Sequence, residues 1–286
     1  MKISVYITSY NQKAFLKEAI ESVLNQTFQP FEIIIVDDHS SDGSQDLIKY
    51  FASKYENVRY VLHEKNKGVS QVRITALNEI RGDYVTYLDG DDLYLPNKLK
   101  IESDIICNED SDVAFSNNMY VDEKNTDDVR WIWASNKMNI QNDLFLKTLS
   151  RDFPRKSLFR MELINYRKLK KIGFHDPNLD IYEDYDLRIR LAKKLKFGYS
   201  LEPTTKIRIS TNGLSKLSKI EHRKALNYIY NKYSSDIDKL DDESKKDLKQ
   251  KFEAFIEKYS GDQKPKITLS FKDRFKNRLI RTIKSF

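Results

Sequence analysis

Two acidic clusters, about ninety residues apart, are the parts of this sequence best suited to chemistry. Their sequences are Asp89-Gly90-Asp91-Asp92 and Glu183-Asp184-Tyr185-Asp186. In the first cluster two carboxylates flank a glycine. This suits a hard divalent cation, because such ions prefer oxygen ligands and glycine lets another group approach closely. Substrate phosphate oxygens usually complete the shell of an ion held in this way. The alternative is an ordinary turn, since Asp and Gly are common turn residues.

The second cluster could supply a general base. A carboxylate can take the proton of an attacking hydroxyl group, and the helix dipole stabilises carboxylates at a helix start. The same preference places acidic residues at many helix starts that have no catalytic role. Both interpretations stay open for this cluster taken alone.

Strand and helix patterns alternate over the first hundred residues. Apolar runs predict strands over residues 3–8, 32–36, 58–62 and 84–88. Apolar residues three and four apart predict helices over 14–25, 45–54 and 69–80. This alternation predicts the α/β class, with a largely parallel sheet and crossover helices. Asp89 would then lie at the carboxyl end of a strand, where open α/β sheets bind their ligands.

The patterns are less regular in the second hundred residues. They predict helices over 93–108, 156–172 and 184–194, a short strand over 114–116, and a loop over 122–140 that covers the site. Trp131 and Trp133 in that loop could form a hydrophobic floor for a ring-shaped ligand or could anchor the loop on the core. From about residue 215 the sequence is highly charged and helical. It therefore predicts a first domain over 1–215 and a helical extension over 216–286.

Composition indicates a globular protein, with 40% hydrophobic and 33% charged residues. No run reaches the roughly 18 apolar residues of a membrane-spanning helix, and the first strand leaves no room for a secretory signal. The single cysteine, Cys107, excludes an internal disulfide and a multi-cysteine metal site. We expect a cytoplasmic protein.

The net charge of +7 belongs to the C-terminal tail. Residues 264–286 hold eight Lys or Arg and one Asp, so the remaining chain is formally neutral. No nucleic-acid partner is predicted for the core. Within 271–286, apolar residues recur every four positions and six cations occupy other positions, which predicts a basic amphipathic helix. This helix could lie on the inner face of the cell membrane, against anionic lipid, or could dock on the core.

Five segments carry motif-like residues in a fixed order. They are Ile7-Thr8-Ser9-Tyr10-Asn11, Val36-Asp37-Asp38-His39-Ser40-Ser41-Asp42-Gly43-Ser44, Asn66-Lys67-Gly68-Val69-Ser70 with Arg73 and Ala76, Leu88-Asp89-Gly90-Asp91-Asp92 with Pro96, and Glu183-Asp184-Tyr185-Asp186-Leu187 with Arg190-Leu191-Ala192. In this order they resemble the inverting glycosyltransferases of family 2. The resemblance covers residues 1 to about 215. It implies a GT-A fold, which is a Rossmann-like mixed sheet flanked by helices, here with a C-terminal helical extension.

The resemblance also implies roles in donor binding. Thr8 and Tyr10 would line the pocket for the nucleotide base, and Asp38 would accept hydrogen bonds from the base or ribose. Arg73 would reach the diphosphate. For Asp38 the alternative is a turn or a helix cap, and for Arg73 it is a surface salt bridge.

A divalent cation, Mn²⁺ or Mg²⁺, is implied at the first cluster. Asp91 would be its direct ligand, and Asp89 would lie nearer the ribose or a metal-bound water. The ion would bridge diphosphate oxygens and neutralise charge as the sugar–phosphate bond breaks. Asp92 could instead cap the following helix.

In the second cluster, the resemblance implies that Asp184 is the base and that Glu183 binds or orients the acceptor. The anomeric configuration should therefore invert. Many relatives carry an aromatic residue where this chain has Arg188, which leaves the acceptor side open. His175 is expected on the surface, the alternative being a position that faces the acceptor.

The implied donor is a nucleotide-diphosphate sugar, with UDP favoured because it is the commonest among relatives. The acceptor would be a hydroxyl of a bacterial-type surface glycan or a lipid-linked oligosaccharide. The chain lacks the Gln-x-x-Arg-Trp signature of processive synthases, so it should add one or a few sugars. The alternatives are a metal-dependent phosphohydrolase or nucleotidyltransferase that uses Asp89 to Asp92, and an inactive module that binds sugar nucleotides.

Overall fold

The computed structural model describes residues 1–257 other than 137, 139, 141, 142 and 211–217. Within these residues nine strands form one sheet: β1 (Ile3–Ser9), β2 (Glu32–Asp37), β3 (Val58–Leu62), β4 (Tyr84–Asp89), β5 (Leu93–Tyr94), β6 (Val113–Asp122), β7 (Val129–Ile132), β8 (Leu163–Asn165) and β9 (Phe197–Ile209). The helices are α1 (Lys13–Leu24), α2 (Ser44–Lys54), α3 (Val69–Asn78), α4 (Lys98–Glu109), α5 (Leu144–Leu149), α6 (Tyr166–Ile172), α7 (Glu183–Lys194), α8 (Lys219–Lys232), α9 (Ser234–Ile237) and α10 (Asp242–Glu257).

The sheet is mixed, with the strand order β3-β2-β1-β4-β8-β6-β9-β5, and β7 pairs with β6. Strands β1 to β4 form three parallel pairs, whereas β8 is antiparallel to both β4 and β6. The strands β1, β2 and β4 therefore end at one edge of the sheet. At this edge Ser9 lies beside Asp37, and Thr8 lies beside Asp89.

The core is built on the first two strands. Every residue of β1 and β2 is buried, and β2 carries the continuous apolar run expected of a strand covered on both faces. Helix α1 contributes Leu16, Ala19, Ile20 and Val23, which recur at three- and four-residue spacing and are all buried. The same buried cluster extends through β4 and β6 to α7 and α8.

The α/β class and the mixed sheet flanked by helices are confirmed. All seven elements predicted over residues 3–80 and 84–88 are present within two residues of their expected bounds, and so is the helix predicted over 184–194. Helices α8, α9 and α10 follow residue 215, as expected. The boundary between residues 215 and 216 lies outside the described residues, and the division into two domains stays a prediction.

Two helix predictions are wrong in their bounds. The helix predicted over 93–108 begins only at Lys98, because β5 occupies its expected start and pairs with β9. The helix predicted over 156–172 is reduced to α6, because β8 fills the gap between β4 and β6. Both errors arise where a short strand completes the antiparallel half of the sheet.

One strand prediction and one loop prediction also differ from the structure. The strand predicted over 114–116 is the ten-residue β6, and the loop predicted over 122–140 contains β7, which folds back on β6. The thirteen-residue β9 has no counterpart among the predicted elements. β9 runs parallel to β6 and connects the middle of the sheet to β5.

The two tryptophans have different environments. Trp133 is buried and its indole N–H donates to the carbonyl oxygen of Ser157 at 2.8 Å, so it anchors the chain on the core. Trp131 stacks on Tyr120 with ring centroids 5.1 Å apart, and the guanidinium of Arg155 lies 5.2 Å from the Trp131 ring. The anchoring interpretation is therefore confirmed for Trp133.

No helix within the described part of the chain is both long enough and apolar enough to span a membrane. The amphipathic helix predicted over 271–286 lies outside the described residues.

A buried ion pair ties α4 to the sheet. Lys98 Nζ lies 2.5 Å from Glu102 Oε2, and both side chains are 1% exposed. Lys98 also donates to the carbonyl oxygen of Met161, and Glu102 accepts a hydrogen bond from Ser116 on β6. Each charge depends on the other, since an unpaired buried charge is strongly destabilising.

We expect Lys98→Met to lower the free energy of unfolding by about 3 to 5 kcal/mol, because Glu102 would be left without its counter-charge. The pair Lys100–Asp104 has the same spacing on the same helix but is about half exposed. The variant Lys100→Met is the matched control and should lower the free energy of unfolding by at most about 0.5 kcal/mol. Urea unfolding of both variants measures the difference, and equal losses would contradict the role of burial.

Candidate active site

The first acidic cluster forms the turn that follows β4. Asp89 Oδ1 accepts hydrogen bonds from Thr8 Oγ1 at 3.1 Å and from Arg73 Nη2 at 2.8 Å. Asp89 Oδ2 lies 3.3 Å from Arg160 Nη2. Asp89 is therefore held in one orientation by three side chains from separate parts of the chain.

Gly90 makes the turn possible. A Cβ atom at this position would lie 2.7 Å from the backbone oxygen of Thr8 and 2.7 Å from Oε1 of Gln12, closer than real Cβ atoms approach. The backbone N–H of Gly90 donates to the same Thr8 oxygen at 2.9 Å. The group that approaches the glycine closely is thus the end of β1, and the contact fixes the cluster against that strand.

Asp91 is the carboxylate of the cluster that stays available. Its side chain is partly buried and makes no hydrogen bond or ion pair with another described residue. Burial raises the pKa of Asp91, and the negative charge of Asp89 raises it further. A cation at this position would remove both penalties, so the residues present fit a divalent ion.

Asp92 does not cap the next helix. Its side chain is buried and accepts a hydrogen bond from the backbone N–H of Arg208 at 2.8 Å. Arg208 Nη1 in turn donates to the backbone oxygen of Asp91 at 2.5 Å. Asp92 therefore ties the acidic turn to β9, and the expectation of a helix cap is wrong, because α4 begins six residues later.

Arg73 joins the two acidic clusters. It is 4% exposed, its Nη2 binds Asp89, and its Nε lies 3.3 Å from Oε1 of Glu183. The guanidinium carbon lies 4.2 Å from the centre of the Tyr87 ring. Nε and Nη1 have no hydrogen-bond acceptor among the described residues. Arg73 is thus no surface salt bridge but the buried cation between the clusters.

The second cluster opens α7, directly after Tyr182 in a left-handed conformation. The side chain of Glu183 is 7% exposed, whereas that of Asp184 is 31% exposed. Burial and the charge of Asp184 raise the pKa of Glu183. Burial also acts to raise the pKa of Asp184, but the positive charges of Arg188, Arg73 and Arg160 outweigh it and hold that pKa below its usual range. Asp184 is therefore the ionised and more exposed member of the pair.

Asp186, the last acidic residue of the cluster, has a structural role. It is completely buried and binds Arg190 at 2.9 Å, the hydroxyl of Tyr233 at 2.9 Å and Lys232 at 2.8 Å. These contacts fix α7 to α8 and to the start of α9. Asp186 takes no part in the cleft.

The predicted nucleotide-binding residues occupy two environments. Tyr10 is 50% exposed at the end of β1, while Thr8 is buried against Asp89. Asp38 is also buried, and its carboxylate accepts the backbone N–H groups of Lys67 and Gly68 at 2.9 and 2.8 Å. Asp38 therefore fixes the start of α3, the helix that carries Arg73. Its contact with a base or ribose stays a prediction.

No role was predicted from the sequence for two groups of the site. Arg160 precedes β8 and binds Oδ2 of Asp89, whereas Arg73 binds Oδ1. Arg188 is buried beside Asp184 and binds Glu162 as well. One pattern could have indicated the buried position of Arg188: it lies between two apolar residues of α7, Leu187 and Ile189, which are both buried.

His175 is buried, so its predicted surface position is wrong. Its Nδ1 lies 3.3 Å from the backbone oxygen of Glu183, and its Nε2 has no partner among the described residues. Burial, with the charge of Arg73, lowers the pKa of His175 to about 3. The imidazole is therefore neutral behind the second cluster.

Similarity to known proteins shows the family to which this chain belongs. Residues 4–167 match the model described as "Glycosyl transferase family 2". An uncharacterized glycosyltransferase of Methanocaldococcus jannaschii is 31% identical over 79% of this chain and 77% of its own length. One of Rickettsia bellii is 33% identical over 52% of this chain, a match that spans only 21% of that relative. The chain belongs to glycosyltransferase family 2.

Solved structures show the same fold. S. aureus TarS 1–349 in complex with UDP-GlcNAc has a TM-score of 0.68 at 21% identity, over 90% of this chain and 72% of TarS 1–349. The mannosyltransferase PcManGT of Pyrobaculum calidifontis, in complex with GDP-Man and Mn²⁺, has a TM-score of 0.58 at 13% identity, over 89% of this chain and 69% of that chain. The predicted GT-A fold is confirmed.

The neutral His175 should make stability depend on pH. An unfolded histidine binds a proton below about pH 6.5, while the folded protein does not bind it until about pH 3. The unfolded state therefore holds the extra proton in this window, and stability falls as pH falls. Between pH 7 and pH 5, we expect the free energy of unfolding of His175→Gln to fall by about 2 kcal/mol less than that of the wild type.

Urea unfolding at pH 7 and pH 5 measures this difference. The exposed His39 provides the control for loss of a histidine, as His39→Asn. Asparagine suits the left-handed backbone of that position, where φ is 67°. A His175→Gln variant with the same pH dependence as the wild type would contradict a neutral buried imidazole.

Proposed function

We propose that this chain transfers a sugar from a nucleotide-diphosphate donor to a hydroxyl group of an acceptor, with inversion at the anomeric carbon. The observation that carries this proposal is the pairing of the two acidic clusters across one buried arginine. Arg73 lies 2.8 Å from Asp89 and 3.3 Å from Glu183, so the first cluster meets the start of α7, where the candidate base Asp184 follows Glu183.

The donor is a sugar nucleotide, and UDP is favoured. The family assignment supports this class of donor, as do the UDP-GlcNAc and GDP-Man in the complexes of the two proteins with the same fold. Tyr10, Thr8 and Asp38 at the ends of β1 and β2 are the residues we assign to the nucleoside. Nη1 of Arg73 has no hydrogen-bond acceptor among the described residues, and we assign it to a phosphate oxygen of the donor.

Asp91 and Asp89 would hold Mn²⁺ or Mg²⁺. The described residues contain no cluster of three or more side chains able to ligate a metal. An ion here would therefore depend on diphosphate oxygens for the rest of its shell, as Mg²⁺ commonly does. When bound, the cation would neutralise charge on the departing diphosphate. Both oxygens of Asp89 already bind Thr8, Arg73 or Arg160, so we assign Asp91 as the direct ligand and place Asp89 nearer the ribose or a metal-bound water.

Asp184 would accept the proton of the attacking hydroxyl. One of its oxygens is bound by Arg188, and the other has no hydrogen bond to a described residue. Glu183 lies deeper and is paired with Arg73, and we assign it to orienting the acceptor. A base opposite the leaving group makes a single displacement, which inverts the configuration.

The acceptor we propose is a glycan or a lipid-linked oligosaccharide. This choice rests on the family resemblance, as does a peripheral position on the inner face of the cell membrane through residues 271–286. A phosphohydrolase or nucleotidyltransferase that uses the first cluster would leave the pairing of Asp184 with the cleft unexplained. An inactive binding module would explain neither carboxylate.

Asp91→Asn should lower metal-dependent release of nucleotide from the donor by about 100-fold or more, because the direct ligand loses its charge. The measurement is nucleotide release from a panel of nucleotide sugars, with Mn²⁺ or with a chelator. Asp104→Asn, on the exposed face of α4, is the control and should match the wild type.

The products separate the alternatives. Release of free sugar and intact nucleoside diphosphate supports a transferase that uses water as acceptor, while release of sugar phosphate or inorganic phosphate would indicate a phosphohydrolase. Binding of a donor without any release, in the presence of glycan acceptors as well, would indicate the inactive module. If no nucleotide binds in calorimetry, the proposed function is wrong.

Asp184→Asn should lower kcat by about 10²- to 10⁴-fold, which is the usual contribution of a general base. The Kd for the nucleotide should stay within about twofold, because Asp184 lies on the acceptor side. NMR of the sugar released by the wild type gives its anomeric configuration, which should be opposite to that of the donor. Retained configuration, or an unchanged kcat in the variant, would exclude this mechanism.

A further inference from the structure

Arg188 is a buried cation next to the proposed base. It lies one helical turn after Asp184 on α7, and its side chain is 2% exposed. Removing a charge from water costs several kcal/mol, unless hydrogen bonds and a counter-charge compensate for it. The partners of this guanidinium therefore show how the cost of burying its charge is compensated.

Three side chains accept hydrogen bonds from the guanidinium of Arg188. Nε lies 3.2 and 3.3 Å from the two carboxylate oxygens of Glu162, and Nη2 binds one of them at 3.2 Å as well as the hydroxyl of Tyr87 at 2.7 Å. Nη1 donates to Oδ2 of Asp184 at 2.5 Å. Glu162 is therefore the main counter-charge of Arg188, and Asp184 is its second anionic partner.

Glu162 is firmly placed for this role. Its side chain is 3% exposed. The preceding Met161 has φ of 55°, and its carbonyl oxygen accepts hydrogen bonds from Thr86 Oγ1 at 2.9 Å and Lys98 Nζ at 2.7 Å. These contacts fix the chain at Glu162 between β4 and α4. Arg188 is thus held by the body of the sheet as well as by Asp184.

We propose that Arg188, neutralised by Glu162, is a positioning residue that fixes one oxygen of Asp184 and leaves the other facing the cleft. This inference rests on the proposed function, in which Asp184 is the base. The guanidinium does not touch the acceptor hydroxyl. It acts through Asp184, by removing the rotational freedom of the carboxylate and by keeping it ionised.

Other charged groups also face Asp184. Arg73 on α3 and Arg160 before β8 are positive, Glu183 on α7 is negative, and His175 is neutral behind them. Burial alone would raise the pKa of Asp184, and Arg188 is the largest opposing influence. Loss of Arg188 should therefore move the acidic limb of the pH–rate profile to higher pH.

The test uses a double variant, Arg188→Met with Glu162→Met, because removing both charges leaves no unpaired ion in the core. We expect kcat at pH 7 to fall about 10- to 100-fold, the scale of a misplaced catalytic group. The Kd for the nucleotide should not change. The acidic limb of kcat should move to higher pH.

Conservative variants separate positioning from packing. Arg188→Lys keeps a positive charge but cannot reach both carboxylates with a planar fork, so its kcat should lie between those of the wild type and the double variant. The matched control is Arg190→Lys, since Arg190 pairs with Asp186 at the same spacing on the same helix. It should lower the melting temperature without moving the pH profile. A folded double variant with the wild-type pH profile and kcat would overturn the proposal.

A measurement that does not require turnover tests this inference independently of the proposed function. Carbon-13 NMR of the aspartate carboxyl groups follows the titration of Asp184, with Asp184→Asn identifying its signal. Its midpoint should rise in the double variant, and an unchanged midpoint would overturn the role of Arg188. If the midpoint rises but the wild type transfers no sugar from any donor, the contact stands and the proposed function fails.

Discussion

The cleft depends on one buried arginine that neutralises carboxylates from two distant parts of the chain. Arg73 would be costly in the core without Asp89 and Glu183, and each carboxylate would repel the other without Arg73. Its position is set in turn by Asp38, which fixes the start of α3 through backbone N–H groups. The first cluster, the start of α3 and the start of α7 are therefore parts of one electrostatic unit, so a change in the charge of one alters the electrostatic environment of the others.

Charge balance also organises the region around the cleft. The pair of Lys98 with Glu102 and the pair of Arg188 with Glu162 both lie in the core and both contact the segment at Met161 and Glu162. Each pair places a full positive charge close to a full negative charge, so neither depends on water. This leaves Asp184 as the partly exposed carboxylate of the second cluster, which is the property a base needs.

The sequence predicted the first hundred residues well, because continuous apolar runs and three-four spacing are local signals that the parallel half of the sheet obeys. It failed at β5 and β8, which have two and three residues and form only because they pair with neighbouring strands. At the site, motif order singled out both acidic clusters, and the structure brings Asp89 of the first and Glu183 of the second to the same arginine. Motif order could not predict that Arg73 is buried between them, or that Glu162 balances Arg188, because both depend on contacts between residues far apart in the chain. His175 illustrates the same limit, since its burial follows from the docking of α7.

The contacts of Arg73 also set an order of assembly. Asp89 is available as soon as β4 pairs with β1, but Glu183 follows more than one hundred residues after Arg73. A chain emerging from the ribosome thus forms the edge with the first cluster early and completes the cleft only when α7 docks. Contacts of such long sequence separation form slowly. The full cleft is therefore among the last features that the growing polypeptide acquires.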